Sequence, residues 1–173
     1  MMRLRLPLIA LTIAIGLGPL GQARTSAQSD TSIRPFKIDI PEAQLKDLKK
    51  RLARTRWPDE LTASGWKYGM PLQYTKDLVM YWQTKYDWRE QERKLNRFPQ
   101  YKTKIDGLDI HFLHVKSTEA NAFPLLMIHG WPGVFYEFAK VIEPLTDPRR
   151  FGGDPKDAFD VVVVSLPGFG FSD

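Results

Sequence analysis

The sequence predicts an α/β fold in which a helical, aromatic-rich N-terminal wrap precedes a sheet whose strands are joined by one helix. Two apolar runs, at residues 125–128 and 161–164, have the composition of buried strands. Residues 134–145, between them, have a helical pattern. In such a strand–helix–strand unit the two strands run parallel and are covered by other elements. Ligands of open α/β sheets bind at the carboxyl ends of strands, which directs attention to the loop after residue 128.

The first 27 residues have the layout of a secretory signal peptide. A short basic head precedes an apolar stretch at residues 6–20, and Gly21-Gln22-Ala23 and Thr25-Ser26-Ala27 both fit a small-x-small cleavage site. The apolar stretch is short for a bilayer and is interrupted by Gly16, Gly18 and Pro19. We therefore expect export to the periplasm or the medium with cleavage. The alternative is a retained membrane anchor through residues 6–20.

Charge and cysteine content exclude several classes of function. Arg3, Arg5 and Arg24 lie in the first 27 residues, which hold no acid, so subtracting these three from the formal charge of +5 leaves +2. No basic stripe remains to bind phosphates, and we expect no nucleic-acid partner. The chain of 173 residues has no cysteine, which excludes disulfides, thiolate metal sites and a cysteine nucleophile.

Three helices are predicted in the N-terminal wrap. Pro41 opens the first, and Leu45, Leu48 and Leu52 repeat on one of its faces. The second begins near Pro71, and the third, short and charged, spans residues 87–96.

Aromatic side chains crowd residues 57–101. On the second predicted helix, Tyr74, Leu78, Tyr81 and Trp82 share one face. Such a face can stack a ligand, but at helical spacing it is more typical of core packing or of intramolecular docking, which we expect here.

Residues 101–115 are predicted to form a β-hairpin, followed by a polar loop at residues 116–123. Asp106-Gly107 is a favoured two-residue turn, and apolar residues alternate after it as in a half-buried strand. His111 and His114 are three residues apart in that strand and therefore point to opposite faces. We expect no metal site there.

The run His129-Gly130-Trp131-Pro132-Gly133 follows the predicted strand at residues 125–128 directly. Two glycines and a proline allow a tight turn, which can direct backbone N–H groups into a cleft, as oxyanion stabilisation requires. His129 could act as a general base, but its place at the strand end favours a role in shaping the loop. The later run at residues 168–173 contains no G-x-S-x-G, so Ser172 and Asp173 lack the surroundings of a nucleophile.

Residues 33–117 resemble the N-terminal domain of microsomal-type epoxide hydrolases. The resemblance is carried by Arg56-Trp57-Pro58-Asp59, Gly65-Trp66 with Tyr68-Gly69, Tyr81-Trp82, Tyr86-Asp87-Trp88-Arg89, Leu95-Asn96 with Phe98-Pro99-Gln100, and Ile105-Asp106-Gly107-Leu108-Asp109-Ile110-His111-Phe112. From Pro124 onward the chain resembles the opening of the α/β-hydrolase domain of that family, whose His-Gly-x-Pro pattern is filled by residues 129–132. Residues 167–172 resemble the loop after that domain's fourth strand. The resemblance implies an N-terminal region at residues 33–100 and the start of an α/β-hydrolase domain at residues 101–173.

The resemblance also implies a catalytic role for the loop at residues 129–133. In this family an aspartate attacks an epoxide carbon to form an ester, lid tyrosines protonate the departing oxygen, and a His–carboxylate pair activates water for ester hydrolysis. By resemblance the Trp131 N–H is an oxyanion-hole donor, His129, Gly130, Pro132 and Gly133 shape its loop, and the Trp131–Pro132 bond is cis. The complete enzyme would act on a small-molecule epoxide without a cofactor or a metal.

The sequence ends at Asp173 with no match to the family's nucleophile elbow, lid tyrosines, acid or catalytic histidine. We therefore expect a truncated member that is inactive alone and whose strand at residues 125–129 forms an exposed, aggregation-prone edge. A second hypothesis is a non-catalytic interaction module that complements a separate catalytic half. A third, an intact hydrolase such as a dehalogenase or esterase, is disfavoured by the match at residues 33–117. The oligomeric state stays open, with a homo-oligomer among the alternatives.

Overall fold

The computed structural model describes residues 31–173, which form a five-stranded mixed sheet with flanking helices. The strands are β1 (Arg34–Phe36), β2 (Gln100–Ile105), β3 (Leu108–Val115), β4 (Phe123–Ile128) and β5 (Phe159–Val164). The helices are α1 (Glu42–Ala53), α2 (Leu72–Thr84), α3 (Trp88–Leu95) and α4 (Ile142–Thr146), with 3-10 turns at Phe135–Phe138, Pro148–Phe151 and Pro155–Asp157. The predicted signal peptide at residues 1–27 lies outside the described residues. Within residues 31–173, no helix combines the length and the apolar character that a membrane span needs.

The strands lie in the order β1-β2-β3-β5-β4. Neighbours from β1 to β5 are antiparallel, whereas β4 and β5 are parallel, with Leu125 opposite Val161 and Met127 opposite Val163. The predicted parallel pair is therefore confirmed. Its two carboxyl ends meet at one edge of the sheet, beside the loop at residues 129–133.

Local sequence signals explain where most elements begin. Pro41 and Pro71 directly precede α1 and α2, and the Asp87 carboxylate caps α3 by accepting the Glu90 N–H at 3.1 Å. Asp106 and Gly107 have φ angles of +49° and +87°, the left-handed values of a type I′ hairpin turn. The three predicted helices of the N-terminal wrap and the predicted hairpin are confirmed.

The predicted continuous helix at residues 134–145 is wrong. The chain instead makes a 3-10 turn at Phe135–Phe138 and then the five-residue helix α4. Pro144 accounts for the break. In a continuous helix at residues 134–145, Pro144 would have no N–H to donate to the Lys140 carbonyl, and its ring would crowd the preceding turn. In the first turn of α4 the backbone N–H groups have no partner within the helix, so a proline there costs no hydrogen bond.

The hydrophobic core covers one face of the sheet. Leu113, Val161 and Val163 project from β3 and β5 onto Ile142 of α4 and Phe135, and all five are buried. The opposite face carries Leu126 and Ile128 of β4, which are 60% and 55% exposed. Because β4 is an outer strand of the sheet in residues 31–173, the predicted exposed apolar edge is confirmed for this part of the chain.

The aromatic face of α2 points into solvent within the described residues. Tyr74, Leu78, Tyr81 and Trp82 are between 44% and 54% exposed. The expectation that this face packs in a core is therefore wrong for residues 31–173. The alternative expectation, a docking surface, stays a prediction.

A buried polar network joins the N-terminal wrap to the sheet. The Asn96 side chain exchanges two hydrogen bonds with the backbone of Ile38, at 2.9 and 2.8 Å. Gln100 donates to Asn96 Oδ1 at 3.2 Å, and its Oε1 lies 2.9 Å from His111 Nε2. His111 Nδ1 lies 2.8 Å from the Ser165 hydroxyl. The network thus runs from the segment before α1 to the end of β5.

The neighbours of His111 define its protonation state. Gln100 uses its amide nitrogen to donate to the Leu95 carbonyl at 3.0 Å, so its oxygen accepts from His111 Nε2–H and the Ser165 hydroxyl donates to Nδ1. The rings of Phe36, Phe135 and Phe171 surround the imidazole at 5.1, 5.1 and 5.3 Å. Burial, with the Lys102 charge adding, lowers the pKa of His111 to about 4. The imidazole is therefore neutral at physiological pH.

We expect a lysine on the exposed face of β4 to raise the soluble yield of the 173-residue chain. Leu126→Lys places a charge in solvent and blocks an edge that can pair with other chains. The matched control, Leu125→Lys, places the same charge on the face that packs on the core and should lower the folded yield. Sedimentation and gel filtration after expression measure both. A parent chain that is already a soluble monomer with a cooperative melt would contradict the expectation.

Acid should destabilise the fold through His111. Its pKa falls from 6.5 to about 4 on folding, so below pH 6.5 the unfolded chain binds a proton that the folded chain does not. The neutral His111 ring therefore contributes to the free energy of unfolding in full above pH 6.5, and this contribution is lost as the pH falls towards 4. The loss is about 3 kcal/mol.

Urea unfolding from neutral to acidic pH, in the Leu126→Lys background, measures this dependence. His111→Gln should be less stable at neutral pH but should have a flatter pH profile, because it lacks the titrating ring. Parallel profiles for the two proteins would refute the assignment.

Candidate active-site loop

The loop at residues 129–133 leaves the carboxyl end of β4 and turns back at once. The Gly133 N–H donates to the Gly130 carbonyl at 2.6 Å, which closes the turn. The Trp131–Pro132 bond inside the turn is cis, as the resemblance implies. The predicted loop residues are therefore gathered in one tight turn at the edge of the sheet where α/β proteins bind ligands.

Trp131 makes few contacts with the rest of the described chain. Its side chain is 85% exposed. Among residues 31–173, no carbonyl or side chain accepts a hydrogen bond from its backbone N–H. An unpaired N–H in a tight turn at a strand end is a donor that the oxygen of a ligand can use.

The two glycines of the loop differ in the space around them. A Cβ on Gly133 would overlap the Glu137 carboxylate and would lie 3.1 Å from the Gly130 carbonyl oxygen. Glu137 can swing aside, but the Gly130 backbone would have to shift. A Cβ on Gly130 would meet nothing within 4 Å. A Cβ at residue 133 is therefore crowded by the Gly130 backbone, whereas a Cβ at residue 130 is not crowded.

A second loop, at residues 165–173, follows β5 and lies against the first. The Leu166 N–H donates to His129 Nε2 at 3.1 Å, and the ring of Phe169 meets the His129 ring edge-on at 5.2 Å. His129 is 3% exposed. The side chain that opens the first loop is therefore buried between the two loops.

The second loop is fastened to the sheet through Ser172. Its hydroxyl accepts the His111 N–H at 2.9 Å and donates to the Ser165 carbonyl at 2.8 Å. At Gly170 φ is +57° and a Cβ would lie 2.7 Å from Ser165 Oγ. Only glycine fits where the loop crosses Ser165, and both hydrogen-bonding capacities of the Ser172 hydroxyl serve the fold.

An open cleft of about 560 Å³ lies beside the first loop. Its lining combines the end of α2 and α3 with the turn after residue 133, and it includes Tyr81, Tyr86, Trp88, Phe135, Tyr136 and Phe171. Burial, followed by the neighbouring phenols of Tyr136 and Tyr81, raises the pKa of Tyr86. The cleft is within the size range of small-molecule sites.

The sequence predicts the loop but not the groups that hold it. His111 and His114 lie on opposite faces of β3, as predicted, and the two ring nitrogens of His111 form hydrogen bonds with Gln100 and Ser165. Neither partner was foreseen, although Ser165 directly follows four valines in an apolar strand, where a polar residue needs a partner. Tyr136 and its place beside Tyr86 were also missed. Within the described range, 31–173, no group of three His, Asp or Glu residues is placed to hold a metal ion.

Two family models match the chain. The model described as "Epoxide hydrolase N terminus" matches residues 33–138, and the model described as "alpha/beta hydrolase fold" matches residues 124–173. The predicted boundary between the two regions, at residue 100, stays a prediction.

Relatives and a solved structure agree with these matches. A relative from Stigmatella aurantiaca (strain DW4/3-1) is 56% identical over 141 residues, which are 82% of this chain and 32% of the relative. Epoxide hydrolase 1 of Sus scrofa is 44% identical over 167 residues, 94% of this chain and 37% of that protein. The crystal structure of juvenile hormone epoxide hydrolase from the silkworm Bombyx mori has 37% identity and a TM-score of 0.75, and covers 86% of this chain and 35% of that chain.

The chain spans about a third of the length of the relatives that it matches. Its mixed sheet is consistent with a partial α/β-hydrolase fold, which confirms the predicted fold class. Because the N-terminus model covers more than half of the chain, the protein belongs to the epoxide hydrolase family, as an N-terminal region that leads into an α/β-hydrolase fold.

Proposed function

We propose that the chain is the N-terminal portion of an epoxide hydrolase, which converts an epoxide and water into a vicinal diol through an ester intermediate. The observation that carries the proposal is the turn at residues 129–133, which leaves the Trp131 N–H unpaired in a chain of this family. The names of the relatives, such as Epoxide hydrolase 1 of Sus scrofa, support the reaction class.

The proposed chemistry assigns this chain to the second half of the reaction. A carboxylate attacks an epoxide carbon, the carbon–oxygen bond breaks, and the departing oxygen takes a proton from a phenol, which leaves an ester. Water then attacks the ester carbonyl, and the Trp131 N–H stabilises the negative charge that develops on its oxygen. Losing one such donor typically costs roughly 100- to 1000-fold in rate.

The histidine of a His–carboxylate pair takes one proton from the attacking water and later returns it to the phenolate. Collapse of the oxyanion breaks the ester bond to the alkoxide, which takes the proton of the carboxylic acid formed, so that the diol is released and the carboxylate and phenol are restored without a cofactor or a metal.

The nucleophile, the phenols and the His–carboxylate pair come, in this proposal, from residues beyond those of this sequence. The 173-residue chain is therefore inactive alone. Its contribution is an oxyanion donor and the scaffold that holds that donor.

A second candidate function, docking onto a separate catalytic half, is favoured by the exposed apolar surfaces. The aromatic face of α2 and the uncovered face of β4 are both available in residues 31–173. Surfaces of this kind mark interaction sites in folded proteins. The two candidates share the same chemistry and differ in whether the catalytic groups lie on the same polypeptide.

We further propose that residues 1–27 direct export. N-terminal sequencing of the native protein should find a chain that begins just after Ala23 or Ala27. An uncleaved chain in the membrane fraction would favour the anchor alternative instead.

Fusing these 173 residues to the part of the Stigmatella aurantiaca relative that follows the matched stretch should produce an enzyme that forms diols, whereas the 173-residue chain alone should form none. Because the two proteins are 56% identical over the matched stretch, the contacts between the two fused parts should be largely kept. Chromatography of a panel of aryl and alkyl epoxides measures diol formation. A folded fusion without activity, or an active lone chain, would count against the proposal.

Two valine substitutions in that fusion test the turn itself. Gly133→Val crowds the Gly130 backbone next to Trp131, which must shift by a few tenths of an ångström, so kcat should fall by at least about tenfold. The matched control, Gly130→Val, adds a Cβ that meets nothing within 4 Å, so its loss in kcat should be much smaller. Equal losses in both variants would contradict a specific role for the turn.

A further inference from the structure

The cleft beside the first loop has an apolar floor that belongs to the core. Phe135 is buried in the core cluster, and Trp88, Leu95 and Phe171 pack against that cluster. The cleft holds about 560 Å³, which is ample for an aryl or short alkyl group. Because these walls are already packed, an apolar group that enters the cleft exchanges water for a preformed surface and orders little of the protein.

Three phenols in the cleft have no hydrogen-bond partner for their hydroxyl groups among residues 31–173. They belong to Tyr81, Tyr86 and Tyr136, whose side chains are all partly open to solvent. Burial, followed by the phenols of Tyr136 and Tyr81, raises the pKa of Tyr86 above its ordinary value, so this hydroxyl stays protonated. Protonated hydroxyls without partners are donors that an oxygen of a ligand can use.

The charged groups around the cleft give it no surplus of positive charge. Asp87 and Glu90 line it, and so does Lys85. The Asp87 carboxylate accepts the Glu90 N–H, and the Glu90 carboxylate forms an ion pair with Lys94 at 2.6 Å. The charge of Lys85 balances that of Asp87. An anionic ligand would therefore lose its hydration without gaining a free cation, which favours a ligand with a neutral acceptor.

The cleft lies within reach of the proposed oxyanion donor. Val134 and Tyr136 line it, and Val134 is three residues after Trp131 in the chain. Three residues of extended chain span at most about 11 Å, so the Trp131 backbone lies within that distance of the cleft wall. A substrate that reacts beside the Trp131 N–H can therefore extend its remote group into the cleft.

We propose that this cleft is a substrate subsite that takes the part of the epoxide remote from the reacting carbon and selects apolar groups bearing a neutral oxygen acceptor. The floor contacts an aryl or alkyl group, and the hydroxyls of Tyr86 and Tyr136 donate to a ketone, ester or ether oxygen. The inference rests on the proposed function and adds the class of substrate to it. A catalytic part that packs on the exposed apolar surfaces would also cover the cleft, which strengthens these hydrogen bonds by excluding water.

Ligand binding to the 173-residue chain, in the Leu126→Lys background, tests the cleft without catalysis. Acetophenone carries a ketone oxygen, and cumene has a similar shape without one. Removing both hydroxyls, by combining Tyr86→Phe with Tyr136→Phe, should weaken acetophenone binding at least about fivefold and leave cumene binding unchanged. Neither hydroxyl has a partner within residues 31–173, so the double variant should fold like its parent.

The matched control is Tyr68→Phe, which removes an exposed phenol outside the cleft and should change neither affinity. Benzoate, which resembles acetophenone in shape but is anionic, should bind more weakly than acetophenone. Chemical-shift titration of the Trp88 indole N–H measures each dissociation constant. Equal losses for acetophenone and cumene in the double variant, no loss for either, or tighter binding of benzoate would overturn the proposal.

Kinetics of the fusion protein test whether the cleft receives the substrate. The epoxides 4-acetylstyrene oxide and 4-isopropylstyrene oxide are similar in shape and differ in the oxygen acceptor. The double variant should lower kcat/KM at least about fivefold more for the acetyl substrate than for the isopropyl substrate, whereas Tyr68→Phe should leave the ratio of the two unchanged. An unchanged ratio in an active double variant would overturn the subsite and leave the proposed function standing. A folded parent fusion without activity would refute the proposed function, and the substrate role of the cleft with it.

Discussion

The fold depends on the neutral imidazole of His111, which is hydrogen-bonded on both nitrogens and enclosed by three phenylalanine rings. Those rings come from β1, from the turn after the first loop and from the second loop, so one buried residue contacts all three regions. A polar group in such a site is costly unless each of its atoms is satisfied. Gln100 and Ser165 meet that requirement, and Gln100 extends the network to Asn96 and the Ile38 backbone. The N-terminal wrap is therefore tied to the sheet by polar contacts as well as by packing.

In residues 31–173, the sheet and the N-terminal wrap share a packed core, but both also expose apolar side chains to solvent. A parallel strand pair is ordinarily buried on both faces, yet the β4–β5 pair is covered on one in residues 31–173. The aromatic face of α2 and the tyrosine-lined cleft are open as well. The chain matches about a third of each relative, and these open surfaces are where the proposed catalytic part would pack. Residues 31–173 thus combine a packed core and two loops in close contact with apolar surfaces that are exposed to solvent.

Short-range rules predict much of this structure, and long-range contacts account for what they miss. The turn at Asp106-Gly107, the helix starts and the apolar strands follow from local conformational preferences. The break before α4 does not follow from the apolar pattern of residues 134–145, although Pro144 is a local signal against one continuous helix. Periodicity identifies the aromatic face of α2 but not whether anything covers it. The contacts of His111 with Ser165 and of His129 with Leu166 join residues 54 and 37 positions apart. They exist because β5 lies between β3 and β4, an order that the pattern of one strand does not reveal.

We propose that this chain positions an oxyanion donor and that other residues perform the bond-breaking steps. The most direct test is the native mass of the species that carries diol-forming activity in extracts of the source organism, measured after size separation. The account predicts that activity is found only in species well above the 20.0 kDa of this chain, either as a longer polypeptide or as a complex. Activity in a lone chain of 20.0 kDa or its signal-cleaved form would contradict the account.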